Sequence, residues 1–251
     1  MSGNTNTDWF ATWFDSPYYH TLYKHRNYDE AELFIQKLID FLNPPSDARF
    51  LDLACGKGRH SVYLNKKGFD VTGLDLSEKS IRHASTFENE KLHFYVHDMR
   101  KLFRTNYFDY VLNLFTSFGY FENERDEQAT IQAVCKGLKP GGIFVLDFFN
   151  SEMVTSCLRT SEEITVEGIC FKISRRNENG YIIKQISFSD KGKDHYFEEK
   201  VKALSLADFE RYFSSCGLKI LHLWGNYSLG KFDLAASDRL IIMAKKDESS
   251  L

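Results

Sequence analysis

Residues 51–60, Leu51-Asp52-Leu53-Ala54-Cys55-Gly56-Lys57-Gly58-Arg59-His60, run from an apolar strand through two glycines into a helix. Glycine lets the backbone turn tightly and approach a ligand, and the turn delivers that ligand to the positive end of the following helix. The next strand, Val71-Thr72-Gly73-Leu74-Asp75, ends in a carboxylate nineteen residues beyond Gly56. A carboxylate at that place accepts both hydroxyls of a ribose. Together the two elements point to an adenosyl ligand without fixing the reaction. The competing reading of Asp75 is a cap for the helix that begins near Ser77.

Outward from this stretch the pattern alternates. Strands are expected at Arg49 to Ala54, Phe69 to Leu74, Leu92 to Val96, Tyr107 to Phe115 and Gly142 to Phe149, with helices at Arg59 to Lys67, Glu78 to Glu88 and Glu124 to Leu138. Strands separated by helices of about ten residues predict a parallel sheet covered on both faces, with ligands at the carboxyl ends of the strands. Upstream, Ala31, Leu33, Phe34, Leu38, Ile39 and Leu42 have the spacing of an amphipathic helix, which Asn43-Pro44-Pro45 ends. From Ser151 to Ser205 the rhythm changes to extended pieces, Ile164 to Arg176, Tyr181 to Asp190 and Asp194 to Leu204, joined by turn residues. This reads as a small antiparallel sheet inserted into an α/β domain. The parent pattern resumes with the helix Leu206 to Cys216 and the strands Leu218 to Trp224 and Arg239 to Lys245.

Composition narrows the function. With 43% hydrophobic residues in 251, the chain can fill a packed core. A net charge of -3 gives no electrostatic reason for a nucleic acid or anionic membrane partner, which leaves a small molecule. Five scattered cysteines without a C-x-x-C pair suggest neither zinc nor disulfides, and a cytoplasmic location fits. The apolar runs Ile143 to Phe149 and Leu240 to Ala244 are too short for a membrane span.

Three features separate this chain from a dinucleotide-binding protein. Ser61 stands where the fingerprint has its third glycine, so close approach of the helix to a pyrophosphate is not provided for. The third strand ends in His97-Asp98-Met99, and an acidic residue there suits the amine of an adenine. Leu138-Lys139-Pro140-Gly141-Gly142 then leads into Ile143 to Asp147. Taken together, these resemble the class I S-adenosylmethionine-dependent methyltransferases, over Phe50 to Asp147 and again from Leu204 to the end.

The resemblance implies a Rossmann-like α/β fold, a seven-stranded sheet with helices on both faces and an inserted antiparallel sheet. It also implies a division into an N-terminal helical cap (1–48), a cofactor-binding core (49–150 and 205–251) and an active-site roof (151–204). By the same resemblance Asp52, Ala54, Gly56 and Gly58 line the methionine moiety of S-adenosylmethionine, Asp75 and Leu76 the ribose, and Asp98 and Met99 the adenine. Asn113 and Leu114 sit beside the sulfonium. Ala54 departs from the family, whose loop often has glycine there. The segment Asn113 to Phe121, the aromatic start and the insertion look like the small-molecule methyltransferases that include glycine N-methyltransferases and sugar N,N-dimethyltransferases. Tyr18, Tyr19, Tyr23 and Arg26 then fold over the cofactor, with Arg26 on its carboxylate. The competing reading of these tyrosines is an amphipathic helix face with wet hydroxyls.

Methyl transfer from a sulfonium asks the protein mainly to position the nucleophile and exclude water. An amine bound neutral needs no strong base. An oxygen acceptor wants one, and Tyr120, His195, Tyr196 and Tyr227 are candidates by residue type. No metal is called for. Two rivals stay open: an adenosyl-binding module without catalysis, and an NAD-dependent oxidoreductase, which Ser61 and Asp98 disfavour. For the insertion, a flap that serves a homodimer is the alternative to an acceptor roof.

Overall fold

In the computed structural model residues 13–14, 16–23, 28–156, 158 and 160–248 are described. Helices α1 (Pro17–Leu22) and α2 (Tyr28–Leu42) precede an alternating run: β1 (Arg49–Leu53), α3 (Arg59–Lys66), β2 (Asp70–Asp75), α4 (Glu78–Ala84), β3 (Leu92–Val96), β4 (Phe108–Asn113), α5 (Glu124–Gly137) and β5 (Leu138–Phe149). A short helix α6 (Ser151–Ser156) opens the insertion, followed by β6 (Ser161–Val166), β7 (Ile169–Glu178), β8 (Tyr181–Asp190) and β9 (Lys193–Lys202). Helix α7 (Leu206–Ser214) and strands β10 (Leu218–Trp224) and β11 (Arg239–Lys246) complete the chain.

Seven strands form one sheet in the order β3-β2-β1-β4-β5-β11-β10. Strand β11 runs antiparallel to both β5 and β10, whereas β1 to β5 are parallel. A dinucleotide-binding sheet continues 3-2-1-4-5-6 in order. Here the last strand of the chain is wedged in reverse between the fifth and its successor.

Side-chain alternation along the strands builds two cores. Leu51, Leu53, Phe144, Leu146 and Phe148 face α5 and α7 and meet Ile131, Val134, Phe209 and Phe213. Phe50, Val145, Ile241 and Met243 face the other way and meet Phe34, Leu38, Leu64 and Ile81 of α2, α3 and α4. Asp52 and Asp147 sit at the alternate positions of β1 and β5, on this second face, where both are buried.

Most boundaries fall within two residues of those expected from the sequence, and the departures have local causes. The helix expected to reach Glu88 ends at Ala84 and tightens into a 3-10 turn over Ser85–Phe87. Strand β5 starts at Leu138, four residues early, because its first residues pair with β4 across a bulge. The expected piece Ile164 to Arg176 is two strands, β6 and β7, reversed at Glu167-Gly168, with φ values of 52° and 81°. Two positive φ values are the hairpin geometry that Asn-Gly usually announces, and Glu-Gly does not.

The inserted sheet, ordered β6-β7-β8-β9, joins the core at its last strand. Lys202 N–H donates to Gly119 O (2.8 Å), and Lys202 Nζ pairs with the buried Glu127 of α5 (2.9 Å). Gly119 lies in the loop after β4, so the insertion is anchored at the carboxyl edge of the parallel strands. Trp13 and Leu22 pack on its Phe171, Ile173, Ile186 and Phe188 face. Among the described residues no helix is long and apolar enough to cross a membrane.

Gly73 in β2 is a packing requirement. A Cβ there would stand 2.5 Å from Phe94 and 2.9 Å from Cys55 Sγ. Gly73→Ala is expected to destabilise the fold by about 1–3 kcal/mol, the range for overpacking. Urea unfolding would show a lower midpoint with an unchanged slope; an unmoved midpoint would mean that the Phe94 ring yields at no cost.

Candidate active site

The floor of the site is the exit from β1. Three residues here are left-handed: Ala54 (φ 62°), Gly56 (φ 54°) and Gly58 (φ 80°). For alanine this conformation costs roughly 1–2 kcal/mol, so the loop carries strain where the family often has glycine. The two glycines serve different ends. A Cβ on Gly58 would meet Phe94 at 2.7 Å, while one on Gly56 would meet nothing within 4 Å. Gly58 is therefore needed for packing and Gly56 opens onto free space. Gly58 is also the N-cap of α3 and offers no side-chain acceptor to the first-turn amides.

Beneath the loop, Ser61 Oγ donates to Asp52 Oδ2 at 2.6 Å, and both residues are buried. This gives Ser61 a positive role at the position where a third glycine is missing. Burial pushes the Asp52 carboxyl up to about 6, against the lowering effect of the Ser61 hydrogen bonds, with Asp75 adding a smaller upward push.

Asp75 ties two strand-end loops together. Its Oδ2 accepts from Gly56 N–H and its Oδ1 from Ser77 N–H, each at 2.8 Å. The cap of α4 is Ser77, whose side chain accepts from Ser80 N–H, so capping does not account for Asp75. Leu76 beside it is 50% exposed.

Both oxygens of Asp98 are taken by Arg100, with Nε at 3.0 and 3.1 Å and Nη2 at 2.7 Å, and Arg100 reaches on to Asp126. Despite partial burial, the Arg100 hydrogen bonds and charge hold the Asp98 carboxyl below its ordinary value. The carboxylate expected to meet an adenine amine is thus held in place by Arg100. Met99 packs against the α5-side core.

Strand β4 ends in a second strained turn. Asn113 is buried, and its Nδ2 donates to Leu53 O at 2.9 Å, locking β4 to β1. Its Oδ1 has no hydrogen-bond partner among the described residues. Leu114 is buried in the α2-side core. Phe115 and Thr116 are both left-handed (φ 58° and 60°). The buried Asp147 accepts from Phe115 N–H (2.7 Å), Tyr227 OH (3.1 Å) and Arg239 Nε (2.8 Å). Arg239 Nη2 also donates to Thr116 Oγ1 (2.8 Å). The Phe115 ring stacks on His60 (5.0 Å between centroids, 13° apart) and lies under the Arg59 guanidinium at 5.0 Å. No motif in the sequence marks Thr116, Asp147 or Arg239.

The N-terminal tyrosines turn to the inserted sheet. Tyr18 OH donates to Asp190 (2.9 Å) and Tyr23 OH to Glu199 (2.7 Å), while Tyr19 packs edge-on to Trp13. Both hydroxyls expected over the cofactor are engaged by carboxylates of the inserted sheet. Arg26 lies outside the described residues. Of the base candidates, Tyr120 donates to Thr116 O (2.7 Å) and Tyr227 to Asp147, so both belong to the β4 turn. His195 stacks on Phe188 and Tyr196 is 60% exposed, and both sit near the hairpin end of β9, remote from its anchor at Lys202. Among the described residues no group of three His, Cys, Asp or Glu could hold a metal ion.

Known proteins can be set against this geometry. Residues 50–142 match the methyltransferase domain family. YqeM of Bacillus subtilis (strain 168), a protein named as a methyltransferase with no acceptor in its name, is 27% identical over 244 residues, covering 92% of this chain and 95% of its own. A dTDP-3-amino-3,4,6-trideoxy-alpha-D-glucopyranose N,N-dimethyltransferase of Streptomyces venezuelae is 27% identical over 194 residues, 73% of this chain and 81% of its own. The crystal structure of an S-adenosylmethionine-dependent methyltransferase from Clostridium acetobutylicum ATCC 824 superposes with a TM-score of 0.76 at 23% identity, covering 92% and 96% of the two chains. The fold is the class I methyltransferase architecture. Residues 50–142 are similar to a methyltransferase domain, and the fold of the whole chain is shared with S-adenosylmethionine-dependent methyltransferases.

His60 gives this site a pH signature. Burial first, and the Arg59 charge second, push its pKa from 6.5 down to about 3. The unfolded chain takes up a proton below about 6.5 that the native ring refuses, so stability is full above that pH and is lost as pH falls toward 3. Asp52 acts oppositely: its contribution is full below 3.8 and is lost as pH rises through about 6. In NMR the His60 ring signals are expected to show no inflection between about pH 8 and pH 4, where an ordinary histidine titrates midway. An inflection near 6.5 would show a ring in contact with water.

Proposed function

We propose that this enzyme transfers the methyl group of S-adenosylmethionine to a nitrogen of a small-molecule acceptor. The cofactor is held along the carboxyl ends of β1, β2 and β4, and the acceptor is enclosed by the loop after β4 and the inserted sheet. The observation that carries this reading is the left-handed loop after β1, held by Asp75 through Gly56 N–H, with open space where a Gly56 Cβ would stand. Without a Cβ at Gly56 a ligand can approach the loop backbone closely. The residues present therefore fit the cofactor at that end. Asp75 meets the ribose, Leu76 gives it an apolar neighbour, and the uncapped first turn of α3 faces the carboxylate.

When bound, S-adenosylmethionine supplies a methyl group already activated on a sulfonium. The chain's own task is to hold the acceptor in line and keep water out. Nitrogen is favoured over oxygen by the tyrosines nearest the site. Tyr120 and Tyr227 both donate their hydroxyl protons, to Thr116 O and Asp147, which suits fixed walls better than a base. An amine bound neutral needs none. The Streptomyces venezuelae relative, named for N,N-dimethylation of an amino sugar nucleotide, supports the same choice.

S-adenosylhomocysteine at 100 times its dissociation constant is expected to add about 2.7 kcal/mol of stability, read as a raised Tm, while NAD adds none. In a folded Asp75→Ala variant the affinity should drop by roughly one to two decades, the scale of hydrogen bonds to a charged group. Stabilisation by NAD alone, or calorimetric affinity unchanged in the variant, would sink the assignment. Pools of primary and secondary amines, assayed for S-adenosylhomocysteine release, would identify the acceptor.

A further inference from the structure

The β4 turn contains more machinery than a loop needs. Phe115 and Thr116 are consecutive non-glycine residues in the left-handed region, a conformation that persists only where the surroundings over-determine it. Those surroundings come from three distant segments. Asp147 at the end of β5 is fully buried and takes Phe115 N–H and Tyr227 OH on Oδ2 and the Arg239 guanidinium on Oδ1. Arg239 opens β11 and also holds the Thr116 hydroxyl. The Tyr227 ring fills the gap between Phe34 and Phe115, at 4.8 and 5.1 Å between centroids. What this assembly presents is one ring, Phe115, against His60 and Arg59 in the first turn of α3.

We infer that Asp147, Arg239 and Tyr227 are positioning residues that fix Phe115 as the wall closing the amino-acid end of the cofactor pocket. The inference rests on the proposed placement of S-adenosylmethionine at the N-terminus of α3. Asp147 neutralises Arg239 and at the same time pins the backbone N–H of the residue whose ring makes the wall. Tyr227 braces that ring from behind and shares the same carboxylate. A hydroxyl lost from Tyr227 therefore acts through Phe115, with no contact to the cofactor of its own.

The test is a double-mutant cycle on the full-length protein, read by calorimetry with S-adenosylhomocysteine and with adenosine, which lacks the amino-acid arm. Tyr227→Phe is expected to weaken S-adenosylhomocysteine binding about tenfold, equivalent to about 1.4 kcal/mol, while adenosine affinity stays within about twofold. Phe115→Ala should weaken S-adenosylhomocysteine at least as much, and adding Tyr227→Phe to it should cost nothing further, because the path through the ring is already gone. Additive losses, an equal loss for both ligands, or a lowered Tm with unchanged affinity per folded site would each overturn the inference. If Tyr227→Phe does not fold, Arg239→Lys, which keeps the charge and loses the forked contact, takes its place in the cycle. Asp75→Ala separates the two levels. Unchanged affinity there removes the cofactor placement itself, whereas weakened binding there with Tyr227→Phe unaltered removes only the positioning role.

Discussion

Where a parallel strand ends, its last backbone N–H groups lose their ladder partners, and an amide buried without an acceptor costs as much as a broken hydrogen bond. In this molecule carboxylates supply the acceptors. Asp75 takes the amides of Gly56 and Ser77, and Asp147 takes that of Phe115. Asp52 performs a related service below the glycine loop by holding Ser61. These bonds hold the turns of the carboxyl edge in conformations that local propensity alone would not choose. A site for a charged, flexible cofactor gains from such preorganisation, since less ordering remains to be done on binding.

The same constraint explains what could be read from the sequence. Gly56 and Asp75 are nineteen residues apart in chain and adjacent in space, so one strand-helix-strand unit contains their whole relationship. Strands β1, β2 and β11 were legible as short apolar runs because they are buried on both faces. Asp147 and Arg239 are 92 residues apart and meet only because β11 runs backwards beside β5, a pairing no local pattern announces. Tyr18 and Tyr23 find partners 172 and 176 residues away on the inserted sheet, so a reading from their neighbourhood could not place them. Asp98 is different: its partner Arg100 stands two residues on, and that signal was present in the sequence.

Phe94 shows how packing and ligand access share one short loop. Its ring on β3 occupies the space left by the missing side chains of both Gly58 and Gly73. That contact draws the start of α3 down onto β2 and β3, which frees Gly56 to face outward. The third glycine of a dinucleotide fingerprint serves close helix-to-strand packing. Here that service is divided between Gly58, through Phe94, and Ser61, through Asp52. The loop thus achieves a close turn with a different residue pattern, and the strain at Ala54 is the part of that solution left uncompensated by glycine.

The inserted sheet is joined to the core beside the loop after β4. Lys202 at the end of β9 bonds Gly119 through its amide and Glu127 through its ammonium. Burial pushes the Glu127 carboxyl up, against the Lys202 hydrogen bond, and its second oxygen has no hydrogen-bond partner among the described residues. Removing the lysine would leave a buried charge uncompensated, a loss of about 3–5 kcal/mol in comparable pairs. The loop between Phe115 and Gly119 is consequently held from below by Asp147 and from above by Lys202. Four residues of chain therefore separate the anchor of the inserted sheet from the strained β4 turn, and a change in one bears directly on the other.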